Sequence, residues 1–299
     1  MWGEPRRRDM LTGLLATGCC GLTGSGPLEE GPDGSTLTEH ELAGRRYLLF
    51  RPRPKVKQPM PLLLALHARG SSGTYFIKRM ELGRFGADFP FVVVAPDGTC
   101  SPGSEGKSCA WNSGNSIAGL EGGADDVRHL GRVLDAVAAQ APIDERRVFA
   151  FGFSNGAKMA YRLAAETERL AGIGVVCGSI GGRATSEHPE HRSVPTKGGR
   201  AVHVLHIHGL DDTVVPPFPE EQRPSAKGHT EVGVRESVGV WIRHNRTQPR
   251  LPERLPRDAT WRSTDGRDGS RVHVRLVSGR AHDWTREDLS SITSFLSEI

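Results

Sequence analysis

The stretch Val148-Phe149-Ala150-Phe151-Gly152-Phe153-Ser154-Asn155-Gly156-Ala157-Lys158-Met159 decides how the rest of this 299-residue chain is read. An apolar run leads into Gly-x-Ser-x-Gly. A segment with Met159, Leu163 and Ala164 at helical spacing follows. Consecutive apolar residues suit a strand buried on both faces, as in a parallel sheet. A serine on a sharp strand-to-helix turn has its hydroxyl lifted above the sheet, with helix N–H groups aimed at a developing oxyanion. Such a turn leaves no room for side chains beside the serine, which accounts for Gly152 and Gly156. The five-residue pattern is weak by itself, and the strand before it and the helix after it give it weight.

Working outward, Arg45 to Phe50, Leu62 to Leu66, Phe91 to Ala95, Ile173 to Cys177, Val202 to Ile207 and Val272 to Val277 read as further strands. Helical patterns fall between them. Val127, Leu130, Val133, Leu134 and Val137 keep one face, with Asp125 and Asp126 at the end where the helix dipole favours acids. Residues 155–168, 231–245 and 285–298 also read as helices. The alternation predicts an α/β fold with a mostly parallel central sheet and helices on both faces, as one domain over residues 38–299. Residues 183–200 and 213–230 are polar and rich in Pro and Gly. They are expected to be loops over the C-terminal edge of the sheet, where ligands bind in such folds.

Composition narrows the class. Hydrophobic residues at 36% and charged residues at 25% fit a folded core and exclude a disordered chain. No apolar run of about 18 residues predicts a bilayer-spanning helix. Basic residues number 39 against 35 acidic, and the signs are interspersed, so no nucleic-acid partner is expected. Five cysteines without paired C-x-x-C spacing argue against a disulfide scaffold or a zinc site. At the N-terminus, Arg6, Arg7 and Arg8 precede a short apolar stretch from Met10 to Leu22, the layout of an export signal. Arg7-Arg8 is similar to a twin-arginine signal. Ala16-Thr17-Gly18-Cys19 is similar to a lipobox, which makes Cys19 a candidate lipidation site and a lipid anchor to the membrane an expectation. Residues 20–36 read as a flexible tether. Residues 1–37 are thus expected to be export signal plus tether, and the protein periplasmic, extracellular or membrane-anchored.

A serine hydroxyl is a poor nucleophile without a neighbouring base. Downstream, His206-Ile207-His208-Gly209-Leu210-Asp211-Asp212 ends a strand in acids, and Gly279-Arg280-Ala281-His282-Asp283-Trp284 follows the last strand. The order Ser, acid, His is the chain order of a known hydrolase fold. Ser154, one of the two aspartates and His282 are the candidate catalytic residues.

More of the chain then falls into a pattern: Leu66-His67 with Gly70-Ser71-Ser72-Gly73, Pro96-Asp97-Gly98, Trp111-Asn112, Asp125-Asp126-Val127, Gly152-Phe153-Ser154-Asn155-Gly156, His208-Gly209-x-x-Asp212-x-x-Val215-Pro216 and His282-x-Trp284. Over residues 45–298 the chain resembles the polyhydroxybutyrate-depolymerase and feruloyl-esterase-like branch of the α/β-hydrolases. The resemblance implies the α/β-hydrolase fold, no cofactor and no metal. It selects Asp212 over Asp211 as the acid. It implies a serine carboxylesterase working through an acyl-enzyme on small acyl, hydroxyacid-oligomer or hydroxycinnamoyl esters. The family usually has Gly after the first His, and this chain has Ala68. Ala68 and Arg69 therefore both stand as the donor that joins the Asn155 N–H in an oxyanion hole.

Other residues carry two readings. His67, Trp111 and Trp284 are candidate walls of the substrate pocket, with core packing as the plainer role for the tryptophans. Cys100 and Cys109 bracket a loop and are expected to be bridged in an exported protein. Cys177 sits in an apolar run and is expected to be buried and free. His206-x-His208 followed by Asp211-Asp212 is a faint metallohydrolase pattern, but a final His is missing and the Asp spacing is off by one. A peptidase of the same fold and a non-catalytic exported binding lipoprotein are the rival functions. The substrate is expected to be a soluble ester and not a solid polymer. Oligomeric state is not legible.

Overall fold

The computed structural model describes residues 27–31, 34–52, 57–82, 89–114, 123–183, 191–219 and 230–299. The export-signal and Cys19 readings lie outside these residues. Ten strands of the described residues form the central sheet, and we number them along the chain. They are β1 (Pro27–Glu30), β2 (Thr36–Leu42), β3 (Arg45–Arg51), β4 (Met60–Leu66), β5 (Val92–Pro96), β6 (Ile143–Phe153), β7 (Gly172–Val176), β8 (His203–Gly209), β9 (Thr260–Ser263) and β10 (Val272–Val277). Their spatial order is β1-β2-β3-β5-β4-β6-β7-β8-β10-β9. From β5 to β10 the neighbours run parallel, and the two edges are antiparallel.

Five α-helices of the described residues cover the sheet: α1 (Gly73–Met80), α2 (Asp126–Ala138), α3 (Asn155–Glu166), α4 (Val234–Asn245) and α5 (Arg286–Ser297). Alternate residues of the central strands feed opposite cores. Leu62, Leu64, Leu66 and Ala150 pack with Leu130, Met159 and Trp241 of α2, α3 and α4. Leu63, Ala65, Phe149 and Phe151 pack with Phe76 of α1 and Leu289 of α5. This two-sided burial is why these strands read as unbroken apolar runs.

The differences from expectation sit at the edges. The sheet begins at Pro27, inside the segment expected to be a tether, because β1 and β2 pair antiparallel onto β3. β2 (TLTEHEL) is only partly buried and carries polar residues, and β1 lies outside it at the edge of the sheet. Helix α1 follows the Gly70–Ser72 stretch, where the sequence reading placed no helix. Ser72 caps it by accepting from the Tyr75 N–H at 3.3 Å, and Phe76, Ile77 and Met80 form its buried face. In the two expected loops, Gly181–Arg183 pairs with His191–Arg192 and with Thr230–Glu231 in a small separate sheet. No helix of the described residues is long and apolar enough to cross a membrane.

Candidate active site

Strand β6 stops at Phe153, and α3 starts at Asn155. Ser154 between them has φ 56° and ψ −119°, a positive φ that a non-glycine residue adopts only under constraint. The constraint is close packing of backbone. A Cβ at Gly152 would lie 2.3 Å from the Gly156 carbonyl oxygen. One at Gly156 would lie 2.0 Å from that of Leu66. Ser154 N–H donates to the Val176 carbonyl at 3.0 Å, which ties the turn to the end of β7.

Two other loops leave the same edge of the sheet. After β8, Asp212 is fully buried. Its Oδ1 accepts from the backbone N–H groups of Val214 and Val215, each at 2.9 Å. Its Oδ2 lies 2.7 Å from His282 Nδ1 and 3.3 Å from His208 Nε2. After β10, His282 turns its Nε2 to Ser154 Oγ at 2.8 Å. The structure thus brings together Ser154, His282 and Asp212 in one hydrogen-bonded line. Asp211 is exposed and takes no part in it. Burial pushes the Asp212 carboxyl up, but hydrogen bonds from His208, His282 and the Val215 N–H outweigh it. They hold the group well below the usual carboxylate range. It is therefore a charged acceptor under His282.

The loops are pinned by residues the sequence reading did not single out. A Cβ at Gly209 would lie 2.3 Å from the Arg280 carbonyl oxygen, so only glycine lets the aspartate loop and the histidine loop touch. Arg280 donates to both oxygens of the buried Asp288 at 2.8 and 2.7 Å. Asp288 also closes a capping box with Thr285 at the start of α5. Arg79 donates to Asp283 Oδ1 and to the Trp284 carbonyl, each at 2.6 Å. These contacts fix both sides of His282.

The loop after β4 carries Ala68 and Arg69. Ala68 does not take a positive φ; Gly70, at φ +72°, is the left-handed residue there. The absence of glycine at position 68 therefore costs no backbone strain. His67 accepts at Nε2 from the Gly98 N–H at 3.0 Å, so its proton sits on Nδ1 and is donated to the Ala68 carbonyl at 2.8 Å. Burial pushes His67 down to about 4, which keeps it neutral. Trp111 Nε1 donates to the His67 carbonyl at 3.0 Å, and Asn155 Oδ1 accepts from the Trp111 N–H at 2.8 Å. Asp97 Oδ1 accepts from the Gly73 N–H at 2.7 Å.

His67, Trp111 and Trp284 are not pocket walls. All three are buried at 2% exposure or less. Trp111 packs on His67, and Trp284 packs between Phe76, Phe151 and the Arg79 guanidinium. The ring nitrogens of His67 and Trp111 serve the backbone frame around Ser154. Cys100 and Cys109 form a disulfide across a two-stranded turn, and Cys177 is buried and free. His206 and His208 do not present a metal pair, because both nitrogens of each ring are engaged in hydrogen bonds.

Comparisons with known proteins fit this geometry. The family model described as Phospholipase/Carboxylesterase matches residues 120–228, from before α2 to past Asp212. A protein of Nocardia uniformis subsp. tsuyamanensis named "Putative esterase NocK" is 29% identical over 163 residues. That stretch is 52% of this chain and 45% of that protein, so the match spans less than half the length of this relative. Among solved structures, an acetyl xylan esterase from Aspergillus awamori has a TM-score of 0.55 at 16% identity, covering 92% of this chain and 99% of its own. A carboxylesterase from Mesorhizobium loti has a TM-score of 0.56 at 15% identity, covering 85% and 95%. A glucuronoyl esterase from Solibacter usitatus has a TM-score of 0.59 at 13% identity, covering 99% and 88%. By fold the chain is an α/β-hydrolase, and its likenesses run to the carboxylic ester hydrolases.

Proposed function

We propose that this protein is a serine carboxylesterase acting through a Ser154-His282-Asp212 triad. The observation that carries the reading is the unbroken hydrogen-bonded line from Ser154 Oγ through the His282 ring to the buried Asp212 carboxylate. Ser154 Oγ attacks the ester carbonyl while His282 Nε2 takes its proton. The tetrahedral oxyanion is held by the Asn155 N–H and one N–H of residues 68–69. Collapse expels the alcohol, which leaves with the proton from His282. Water then attacks the acyl-enzyme with His282 as base, and the acid departs from Ser154. Asp212 keeps the His282 proton on Nδ1 between these steps and stabilises the imidazolium.

The substrates are small soluble esters: short acyl esters, hydroxyacid oligomers or hydroxycinnamoyl esters. The names acetyl xylan esterase and carboxylesterase among the structural likenesses support the short-acyl part of this range. The protein acts outside the cytoplasm. The basic and apolar stretches at residues 6–22 support export, and a Cys100–Cys109 disulfide suits an oxidising compartment. The test compares p-nitrophenyl acetate and butyrate, methyl ferulate, a peptide amide and a polyhydroxybutyrate suspension. Turnover of the soluble esters, abolished by Ser154→Ala, supports the reading. Clearing of the suspension, or cleavage of the amide, with little ester turnover contradicts it.

A further inference from the structure

Strand β8 places His206 and His208 in the middle of an apolar sheet, between Val204, Leu205 and Ile207. The two rings are 0% and 1% exposed. Burying imidazoles is costly unless their polar atoms are satisfied, and an aliphatic residue would pack there without that cost. The polar atoms are satisfied, in a single line. Tyr161 Oη, from α3, lies 2.7 Å from His206 Nδ1. His206 Nε2 lies 3.0 Å from His208 Nδ1. His208 Nε2 lies 2.7 Å from the Val215 carbonyl oxygen and 3.3 Å from Asp212 Oδ2.

The far end sets the direction of every proton. A carbonyl oxygen can only accept, so His208 carries its proton on Nε2. In the Nε2–H tautomer of His208 the Nδ1 is bare and accepts, so His206 donates from Nε2. The bare Nδ1 of His206 accepts in turn, so Tyr161 donates its O–H. Burial and the neighbouring His208 keep the pKa of His206 well below its ordinary value, which fixes it neutral. The titratable groups around the Asp212 carboxylate are His208 from β8, His282 from the loop after β10 and the Cys177 thiol after β7.

We infer that Tyr161, His206 and His208 form a buried relay of hydrogen bonds that positions the Asp212 carboxylate. His208 Nε2–H reaches the same carboxylate oxygen that receives His282. Through the Val215 carbonyl it also holds the turn whose two N–H groups grip the other oxygen. These are positioning residues, since none of them touches Ser154. The inference rests on the triad reading of the proposed function. It has a directional consequence. Loss of the His208 donor leaves more charge on the Asp212 oxygen facing His282. The imidazolium is then held more tightly, and the acid limb of kcat/KM moves to higher pH.

The test uses the full chain and p-nitrophenyl butyrate, with thermal melts alongside. In His208→Gln the amide nitrogen reaches the Nε2 position and keeps the donor. In His208→Asn the amide sits near Nδ1 and cannot reach Val215 or Asp212. H208N is expected to lower kcat at least about tenfold, the loss of one hydrogen bond to a charged group, with KM within about twofold. Its acid limb moves up in pH, and H208Q recovers most of both losses. Equal kcat and equal acid limbs in the two folded variants overturn the relay. Ser154→Ala, run alongside, separates the claims. If it stays active the triad reading falls and the relay with it; if it is dead while the two variants behave alike, only the relay falls. Nitrogen NMR of the wild-type protein with labelled histidine needs no variant to fold. His206 and His208 are expected as Nε2–H tautomers, and an Nδ1–H tautomer at His208 overturns the proposal.

Discussion

Asp212→Asn is the substitution whose effect the geometry determines most fully. The side chain changes by one atom, and the site decides which way the amide faces. Two backbone N–H groups, of Val214 and Val215, point at Oδ1 from 2.9 Å. An amide NH2 there would set donor against donor twice, so the amide oxygen must take that place. The NH2 group then occupies the Oδ2 position, 2.7 Å from His282 Nδ1. It donates, and Nδ1 must accept. The His282 proton moves to Nε2, the nitrogen facing Ser154 Oγ, and the base is lost. The charge that would stabilise the imidazolium is lost as well. The same change in a serine protease triad costs about 10⁴-fold in kcat, and that size is expected here. Asp211→Asn is the control, since Asp211 is exposed and contributes its backbone N–H to the Arg280 carbonyl. The assay is kcat for p-nitrophenyl butyrate, with melting curves to show that both variants fold. An Asp212→Asn enzyme keeping a tenth of wild-type kcat, or an Asp211→Asn enzyme equally impaired, refutes the reasoning.

Three further outcomes are expected. Gly156→Ala puts a Cβ 2.0 Å from the Leu66 carbonyl oxygen, and backbone cannot yield as a side chain does. A loss of about 3 kcal/mol or more is expected, read as a fall in Tm of several degrees, and an unchanged Tm contradicts it. Stability should fall with acid between pH 6.5 and 4: His67 is held down to about 4 in the fold, below its ordinary 6.5, so the unfolded chain binds the extra proton in that window. His67 alone accounts for about 3 kcal/mol, and His129, His203 and His273, each held to about 4, act in the same direction, so equal denaturation free energies at pH 7 and pH 4 would exclude it. Reduction of the Cys100–Cys109 disulfide, a bridge between residues nine apart, should cost roughly 2.5–3 kcal/mol by loop entropy, and alkylation of both thiols without reductant would show the bridge absent.

The parts of this molecule that were legible in its sequence are those written in a local code. Each central strand buries both faces and so shows as an apolar run, as in Leu62 to Leu66. The elbow shows because Gly152 and Gly156 are the residues that backbone contact permits. Choosing Asp212 over Asp211 needed a family resemblance, since spacing alone cannot say which carboxylate turns inward. Strand β2 was missed because TLTEHEL is mostly polar and only partly buried, with no apolar run to mark it. Helix α1 was missed because Gly70 to Gly73 suggested a loop, although Ser72 and the spacing of Phe76, Ile77 and Met80 carried a cap and a face. The roles of His67, Trp111 and Trp284 were misjudged because large polar-tipped side chains suit a pocket wall and a buried frame equally well. The hydrogen bonds of His67 and Trp111 to backbone and the packing of Trp284 among Phe76, Phe151 and Arg79 decide between the two, and those contacts leave no pattern in sequence.

The central claim is that Ser154 is an activated nucleophile, and labelling with a fluorophosphonate tests it most directly, because the reagent bonds only to a serine whose proton a neighbouring base can take. The account predicts one label per chain, on the peptide containing Ser154, appearing in step with loss of esterase activity and absent from Ser154→Ala. No labelling of active protein, or a label on another serine with Ser154→Ala still reactive, would contradict it.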